Sequence, residues 1–143
     1  MAFYSVRADL IVSAPDFDPC VLTDEASTFK RSWRVGDLIR PNGKVVFKDS
    51  GVRFSLLSEI EEPEWPELVT SSLRDWVSKF ESKLDLIPTP FISVYIRTGG
   101  SDFPSIFFSR EFLGLVEKIR GEIDVDVVAT AGLERRQEDD END

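Results

Sequence analysis

The amino-acid sequence predicts an α+β domain with an antiparallel or mixed sheet of about seven strands, covered mainly on one face by one long helix and one or two shorter helices. Several short segments alternate apolar and polar residues, which is typical of half-buried strands. One longer segment repeats apolar residues every three or four positions, which is typical of an amphipathic helix. Hydrophobic residues make up 41% of the 143 positions, enough to build a core.

The first predicted elements are a strand and a short helix. Residues 3–13 place Tyr4, Val6, Ala8, Leu10 and Val12 on one face of the strand, and Pro15 follows its end. Asp18 is suited to cap a helix and Pro19 to occupy its first position, so the sequence predicts a short helix to about residue 27.

The next segment predicts a meander of strands joined by turns. Residues 33–39 and 44–48 are expected to form a hairpin, because Pro41-Asn42-Gly43 between them is a strong turn signal. A second turn at residues 49–51 leads to a strand at 52–56, where apolar and polar residues alternate.

Residues 64–87 carry the helical periodicity. Pro66 fits the first turn, and Pro88 and Pro90 end the pattern. The apolar stripe of this helix consists of Trp65, Leu68, Val69, Leu73, Trp76, Val77, Phe80 and Leu84.

The last third predicts a strand at 91–97, a turn at 98–102 and a partner strand at 103–108. Ser109 is expected to cap a helix that runs to about Arg120, with Gly121 at its C-terminal cap, followed by a strand at 123–127. Residues 1–133 are thus predicted to form one domain. Residues 134–143, with six acids and two bases, are predicted to be a disordered acidic tail.

Composition argues against several classes of function. The chain has no histidine, which excludes histidine-dependent triads and histidine-ligated metals. We therefore expect no enzyme, no catalytic residues, no metal and no cofactor. A net charge of −10 disfavours nucleic acid. There is no apolar run of about 18 residues and no basic-then-apolar leader, so a cytoplasmic protein without a membrane contact is expected.

The candidate partner-binding residues combine carboxylates with tryptophan. Clustered acids can attract a basic partner, and tryptophan is enriched at binding hot spots. The predicted contacts are Trp33, Glu59, Glu61, Glu62, Glu64 and Trp65. Two other interpretations of the acids stay open, namely a solvated loop and a site for a hard cation.

Other motifs have simpler structural interpretations. The acid pairs Asp16/Asp18 and Asp124/Asp126 are interpreted as a helix cap and the wet face of a strand. Cys20 is expected to pack in the core, since no imidazole can activate it. Residues 98–101 lack the Gly-Lys-Ser/Thr ending of a phosphate-binding loop.

The order of elements and a few motifs resemble the small bacterial family called domain of unknown function 4279. The resemblance covers roughly residues 3–128 and rests on Asp18-Pro19, the segment Ser32-Trp33-Arg34-Val35-Gly36-Asp37, the strand at 52–56 and the helix opening Phe108-Ser109-Arg110-Glu111-Phe112-Leu113. The chain departs from the family pattern at Glu25-Ala26-Ser27, where a Leu-Gly pair is usual. The resemblance implies a bacterial cytoplasmic protein similar to immunity proteins that neutralise toxins. It supplies no catalytic residues.

The sequence therefore leads to one main hypothesis and two alternatives. The main one is an acidic, non-enzymatic protein-binding module of the immunity type, which inhibits a partner toxin, with a basic toxin domain as the expected partner. The first alternative is a scaffold or homo-oligomeric interaction domain unrelated to toxins. The second is a carboxylate-dependent enzyme, which would require two of the named acids to converge in a pocket with raised pKa values.

Overall fold

The structure, a computed structural model, describes residues 4–23, 29–99 and 105–129. Over these ranges the chain is α+β, as predicted, with five strands and three α-helices. In chain order they are β1 (Tyr4–Ala14), α1 (Cys20–Thr23), β2 (Arg31–Trp33), β3 (Ser50–Ile60), α2 (Trp65–Phe80), β4 (Phe91–Thr98), α3 (Arg110–Lys118) and β5 (Glu122–Ala129), and a 3₁₀ helix, Glu81–Leu86, continues α2.

The five strands form one mixed sheet in the order β2-β3-β1-β4-β5. Strand β1 lies in the centre and pairs antiparallel with both β3 and β4. Strand β5 pairs parallel with β4, and α3 makes the crossover between them. A parallel pair needs such a long connection, whereas antiparallel strands can be joined by a short turn.

The two faces of the sheet differ in chemistry. Even-numbered residues of β1 and β4 point into the core, and Leu10 and Ile92 are fully buried. Helices α2 and α3 supply the other side of this core, including Leu73 and Phe112. The opposite face of the sheet is polar, since it carries the odd-numbered residues of β1 and β4, and it contains one buried carboxylate, Asp9.

The prediction of about seven strands is too high. Residues 33–39 and 44–48 were expected to be strands, but β2 ends at Trp33, and Leu38 and Val46 form only an isolated bridge. Residues 105–108 contain no strand, and the start of the predicted strand at 103–108 lies outside the described residues. The physical reason in the first case is that a few irregularly spaced backbone bonds, together with side-chain contacts of Trp33, hold residues 34–49 without forming a regular ladder.

The long helix is shorter than the predicted range of 64–87. Helix α2 ends at Phe80, and the chain continues as a 3₁₀ helix before Ile87 becomes extended. The predicted apolar stripe is buried as far as Phe80, including Val69, Leu73 and Trp76, except at Leu68, which is 39% exposed. Of the predicted short helix, Cys20–Thr23 is present, and residues 24–28 lie outside the described residues.

Helix α3 begins as predicted and ends differently. Ser109 caps it, and the Ser109 hydroxyl accepts a hydrogen bond from the backbone N–H of Phe112. The left-handed position after the helix is taken by Arg120 (φ 54°), one residue before the predicted Gly121. Gly121 donates its N–H to Val116 O, and Arg120 donates to Glu117 O, which is the Schellman pattern. The predicted tail at 134–143 lies outside the described residues.

Candidate functional site

The predicted acidic residues lie at one end of β3 and in the loop before α2. Glu59 is on β3, where it accepts hydrogen bonds from Ser5 Oγ at 2.8 Å and from Arg97 at 3.4 Å. The bond from Ser5 and the charge of Arg97 lower the pKa of Glu59. The other predicted acids, Glu61, Glu62 and Glu64, are exposed, and no described cation lies within ion-pair distance of them.

Trp65 was predicted to contact a partner, but the structure places it in the core. Only 1% of its surface is exposed, and its ring meets Phe108 edge to face at 6.3 Å. The first residue of α2 points inward because it belongs to the apolar stripe of the helix. As placed, Trp65 offers no surface to a partner, and we leave it out of the binding surface proposed below.

Trp33 is also buried, at 8% exposure, but it supports an exposed segment. Its indole N–H donates a hydrogen bond to Asp49 Oδ1 at 3.0 Å, and its ring stacks on Phe47 with centroids 5.0 Å apart. Gly51 faces the same ring, because a Cβ there would lie 2.5 Å from Trp33 Cζ2. Trp33 is thus a fixed base for residues 34–49, which we call the arm.

The arm is an irregular hairpin with its own hydrogen bonds. Phe47 O accepts from Gly36 N at 2.9 Å, and Phe47 N donates to Asp37 O at 2.8 Å. The predicted turn at Pro41-Asn42-Gly43 is present, closed by a bond from Gly43 N to Arg40 O at 3.0 Å. Gly36 takes a φ of 91°, a conformation that favours glycine. These bonds hold the arm in one shape without forming regular strands.

The arm exposes a concentration of large aliphatic side chains. Five of them lie within twelve positions, and Val45 has 66% of its surface exposed. Scattered single apolar residues are normal on a surface, but a contiguous group is typical of an interaction site. The exposed aliphatic residues of the arm are Val35, Leu38, Ile39, Val45 and Val46.

A groove runs between the arm and the end of β1. Its volume is about 490 Å³, with Ala14 and Pro15 on one side and Ile39, Val45 and Val46 on the other. These walls are mainly apolar, and Ser13, Lys48 and Asp49 also line the groove. Such a shallow, mainly apolar groove beside an exposed hairpin is suited to contact a side chain or a short segment of another protein.

The structure separates the predicted contacts instead of collecting them. Trp33 pairs with Gly51 near the start of β3, whereas Glu59 lies eight residues further along that strand. At roughly 3.4 Å per residue this distance is about 27 Å. The structure therefore has two separate surfaces. The arm lies at one end of β3, and the exposed residues Glu61, Glu62 and Glu64, which we call the acidic loop, follow its other end.

Asp9 forms a further cluster that no sequence motif indicated. Its side chain is only 5% exposed, at the centre of the polar face. Lys30 Nζ and Arg53 Nη1 each lie 3.7 Å from its carboxylate, and Arg7 Nε lies at 4.0 Å. All three distances exceed hydrogen-bond range, and Asp9 Oδ1 accepts no hydrogen bond from the described residues. In the sequence, Asp9 is one of the polar residues that alternate with the apolar face of this strand, and no pattern indicates that its side chain is buried.

The remaining candidate residues have the simple roles predicted for them, with one exception. Asp18 accepts a bond from Cys20 N at 3.0 Å, which together with Arg34 lowers the pKa of Asp18. Asp124 and Asp126 are exposed on β5, as a wet strand face requires. Cys20 is half-buried, and its sulfur accepts a hydrogen bond from Arg34, so it lies at the edge of the core.

The described part of the chain brings no three potential metal-ligating side chains together. Nor does any helix in the described ranges have the length and hydrophobicity needed to cross a membrane. Comparison with protein-family models, with curated proteins and with solved structures finds no match. The resemblance to domain of unknown function 4279 therefore stays a prediction, and the functional argument depends on the surface itself.

Proposed function

We propose that this chain is a non-enzymatic protein-binding module, and specifically an immunity-type inhibitor that neutralises a toxin by covering it. The observation that carries the proposal is the aliphatic surface of the arm, where Val45 and its neighbours are exposed beside an apolar groove. Keeping this surface in water is unfavourable by about 25 cal/mol per Å² of apolar area, and a protein partner would remove it from water.

The way in which the arm is held also supports binding. Trp33 fixes its base through Asp49 and Phe47, and the tip is closed by the Arg40–Gly43 turn. A surface that is ordered before binding loses less conformational entropy when the complex forms. The arm is therefore suited to dock as a unit.

The acidic loop has a different part in the proposal. Glu61, Glu62 and Glu64 are exposed, and they belong to a chain with net charge −10. A negative field of this kind steers a basic partner and raises the association rate, more than it raises the final affinity. The partner we propose is thus a protein of net positive charge, such as a basic toxin domain.

Co-expression with the protein encoded by the neighbouring gene tests the proposal. If that protein is a toxin and this chain is its inhibitor, the full chain restores growth and the two proteins purify as a stable complex. The absence of both rescue and complex would overturn the immunity-type function. A self-association of this chain through the arm, measured by sedimentation, would favour a homo-oligomeric interaction domain instead.

A pair of double variants shows whether the arm is the binding surface. Val45→Ser with Val46→Ser removes aliphatic area from the arm and should weaken the complex at least tenfold, on the order of 1.4 kcal/mol or more. Leu86→Ser with Val127→Ser is the matched control, because Leu86 is as exposed as Val45 but lies on the 3₁₀ helix. Equal weakening by both double variants would contradict the assignment of the arm.

A further inference from the structure

We infer that the surface that receives the arm is locally acidic: a segment of the partner in which carboxylates flank apolar side chains. This inference rests on the proposed function, because it concerns the same surface, and it adds the chemistry of the partner. It differs from what the total charge of the chain suggests, since a net charge of −10 by itself points only to basic partners.

The arm and the short strand before it have a charge opposite to that of the remaining chain. Residues 30–49 contain six basic residues and two aspartates, a net charge of +4, so that the other 123 residues carry −14. The cations in this segment are Lys30, Arg31, Arg34, Arg40, Lys44 and Lys48. The local field at the arm is therefore set by cations close to it, because distant charges are screened beyond about 8–10 Å.

Half of these cations are already engaged. Lys30 lies beside Asp9, Arg34 pairs with Asp18 at 3.1 Å, and Arg31 donates to Ile39 O at 2.8 Å. The other three are Arg40, Lys44 and Lys48. They are exposed, and no carboxylate of the described residues lies within ion-pair distance of them.

The unengaged cations flank the aliphatic residues. Arg40 follows Ile39 at one side of the tip turn, and Lys44 precedes Val45 at the other. Lys48 lines the same groove as Val45 and Ile39, and the one carboxylate in that lining, Asp49, already accepts the hydrogen bond from Trp33. An apolar side chain that enters this groove would thus carry its neighbours towards positive charge, which favours carboxylates at those positions.

A nucleic acid fits this surface less well than a protein segment. Binding of single strands relies on bases that stack on free aromatic faces. The one aromatic ring of the arm belongs to Phe47. The Trp33 ring stacks on it, and the Arg31 guanidinium lies over it at 4.9 Å from its centroid. The large apolar side chains that the arm exposes are all aliphatic, and these are suited to contact apolar side chains of a protein.

An acidic docking segment is compatible with a partner that is basic as a whole. Active sites that hold divalent cations are built from carboxylates, whatever the net charge of the enzyme around them. An arm that places Arg40 and Lys44 against such carboxylates would block the site directly. Long-range steering by the acidic loop and local docking by the cationic arm would then act on different parts of one partner.

Peptide titration followed by NMR tests the inference on the full chain. The probes are short peptides of one length built from Glu and Leu, from Glu and Ser, and from Lys and Leu, together with a short single-stranded oligonucleotide. The Glu/Leu peptide is expected to shift amide resonances of residues 34–48 and to bind on the order of tenfold more tightly than the other probes. Its binding should weaken when salt shortens the Debye length from about 10 Å to about 3 Å.

Charge reversal supplies the matched comparison. The triple variant Arg40→Glu, Lys44→Glu, Lys48→Glu should reduce binding of the Glu/Leu peptide about tenfold or more, whereas Lys79→Glu, Lys83→Glu, Arg110→Glu makes the same change in net charge on the helices and should not. Equal losses in both triple variants would contradict the inference. So would tighter binding of the Lys/Leu peptide or of the oligonucleotide at the arm.

The same variants separate this inference from the proposed function. If the complex with the toxin is lost in the Val45→Ser, Val46→Ser variant but unchanged in the charge-reversed arm, the arm binds a partner whose surface is not acidic, and only the inference fails. If neither variant changes the complex, the arm is not the binding surface and both fail. Loss of the complex in both variants, with the helix controls unaffected, supports both.

Discussion

Trp33 and Asp49 join the two ends of the arm through a hydrogen bond of 3.0 Å between the indole N–H and a carboxylate oxygen. Trp33 is the last residue of β2 and Asp49 precedes β3, so this bond closes a loop over residues 34–48, which carry the exposed aliphatic surface. Hydrogen bonds to charged groups contribute about 1.5–3 kcal/mol, roughly twice a neutral bond. The position of the proposed binding surface thus depends on a residue that is itself buried.

Replacing Trp33 with Phe should loosen the arm without unfolding the sheet. Phenylalanine keeps a ring against Phe47 but cannot donate to Asp49, so we expect a loss of about 1–3 kcal/mol in the free energy of unfolding. Amide exchange at Gly36 and Phe47, whose bonds hold the arm, should accelerate more than exchange in β1. Unchanged exchange in the arm would contradict the role given to Trp33.

Substitution by alanine should change the free energy of unfolding in opposite directions at Gly51 and at Gly114. At Gly51 a Cβ would lie 2.7 Å from both Ser13 Cβ and Val12 O, besides its closer contact with the indole, so Gly51→Ala should destabilise by about 2–3 kcal/mol. Gly114 lies inside α3 with no atom within 4 Å of a Cβ, and Gly114→Ala should stabilise by about 0.5–1 kcal/mol. Denaturant titration of both variants measures the difference. A Gly51→Ala protein with an unchanged free energy of unfolding would disprove the close packing around Gly51.

The sequence predicts those parts of the fold in which local pattern and tertiary packing agree. The alternation around Leu10 and the stripe around Leu73 each define one buried face, and both elements are present. The hairpin at 33–48 was predicted as two strands because its residues favour strands and a turn separates them. Its shape depends instead on irregularly spaced backbone bonds and on the contacts of Trp33 with Asp49 and Phe47, which no local pattern encodes.

The candidate site was harder to predict for a similar reason. The burial of Trp33 and Trp65 depends on how β2 and α2 pack in the folded chain, which the residue types alone do not reveal. Net charge sums over the chain and conceals the +4 of residues 30–49. A charge count over short windows would have shown this contrast, but the position of the cations around exposed aliphatic residues follows only from the structure.

Asp9 is expected to stabilise the polar face of the sheet by holding three cations close together. Asp9→Asn keeps the shape of the side chain but removes its charge, so Lys30, Arg53 and Arg7 would then repel one another. Because these cations are 40–45% exposed, we expect a moderate loss of about 1–3 kcal/mol, below that of a fully buried pair. The loss should shrink in high salt, which screens the repulsion.

A control at Asp126 separates this effect from a general dependence on charge. Asp126 lies exposed on β5, and Asp126→Asn should change the free energy of unfolding by no more than about 0.5 kcal/mol. Urea unfolding of both variants at low and high salt gives the comparison. Equal stability of the Asp9 and Asp126 variants would show that the three cations do not need Asp9.

The ion pair between Arg74 and Glu111 predicts a small acid-sensitive contribution to stability. The hydrogen bond and charge of Arg74, at 2.6 Å, hold the pKa of Glu111 below its ordinary value of 4.5. A lowered folded-state pKa means that the contribution is present above pH 4.5 and is lost as the pH falls through the folded-state pKa. Both groups are exposed, so the effect on stability is slight.

NMR titration of the Glu111 carboxyl measures this shift directly. In the unchanged chain the midpoint should lie below 4.5, and in Arg74→Gln it should move back towards that value. Arg110→Gln is the control, since Arg110 forms no ion pair with a described carboxylate. An identical midpoint in all three proteins would rule out the pair as the cause.

Arg120 has a left-handed backbone conformation that glycine, which has no Cβ, would adopt at a lower cost in free energy. It lies at the C′ position of α3 with φ 54°, where a side chain with a Cβ is disfavoured by roughly 1–2 kcal/mol. Arg120→Gly should therefore raise the free energy of unfolding by about 0.5–1 kcal/mol, because the gain in the folded state exceeds the added freedom of the unfolded chain. Arg120→Ala removes the same charge but keeps the Cβ, so it should give no such gain. Equal stabilisation by alanine and by glycine would show that the left-handed backbone conformation of Arg120 is not the source of the effect.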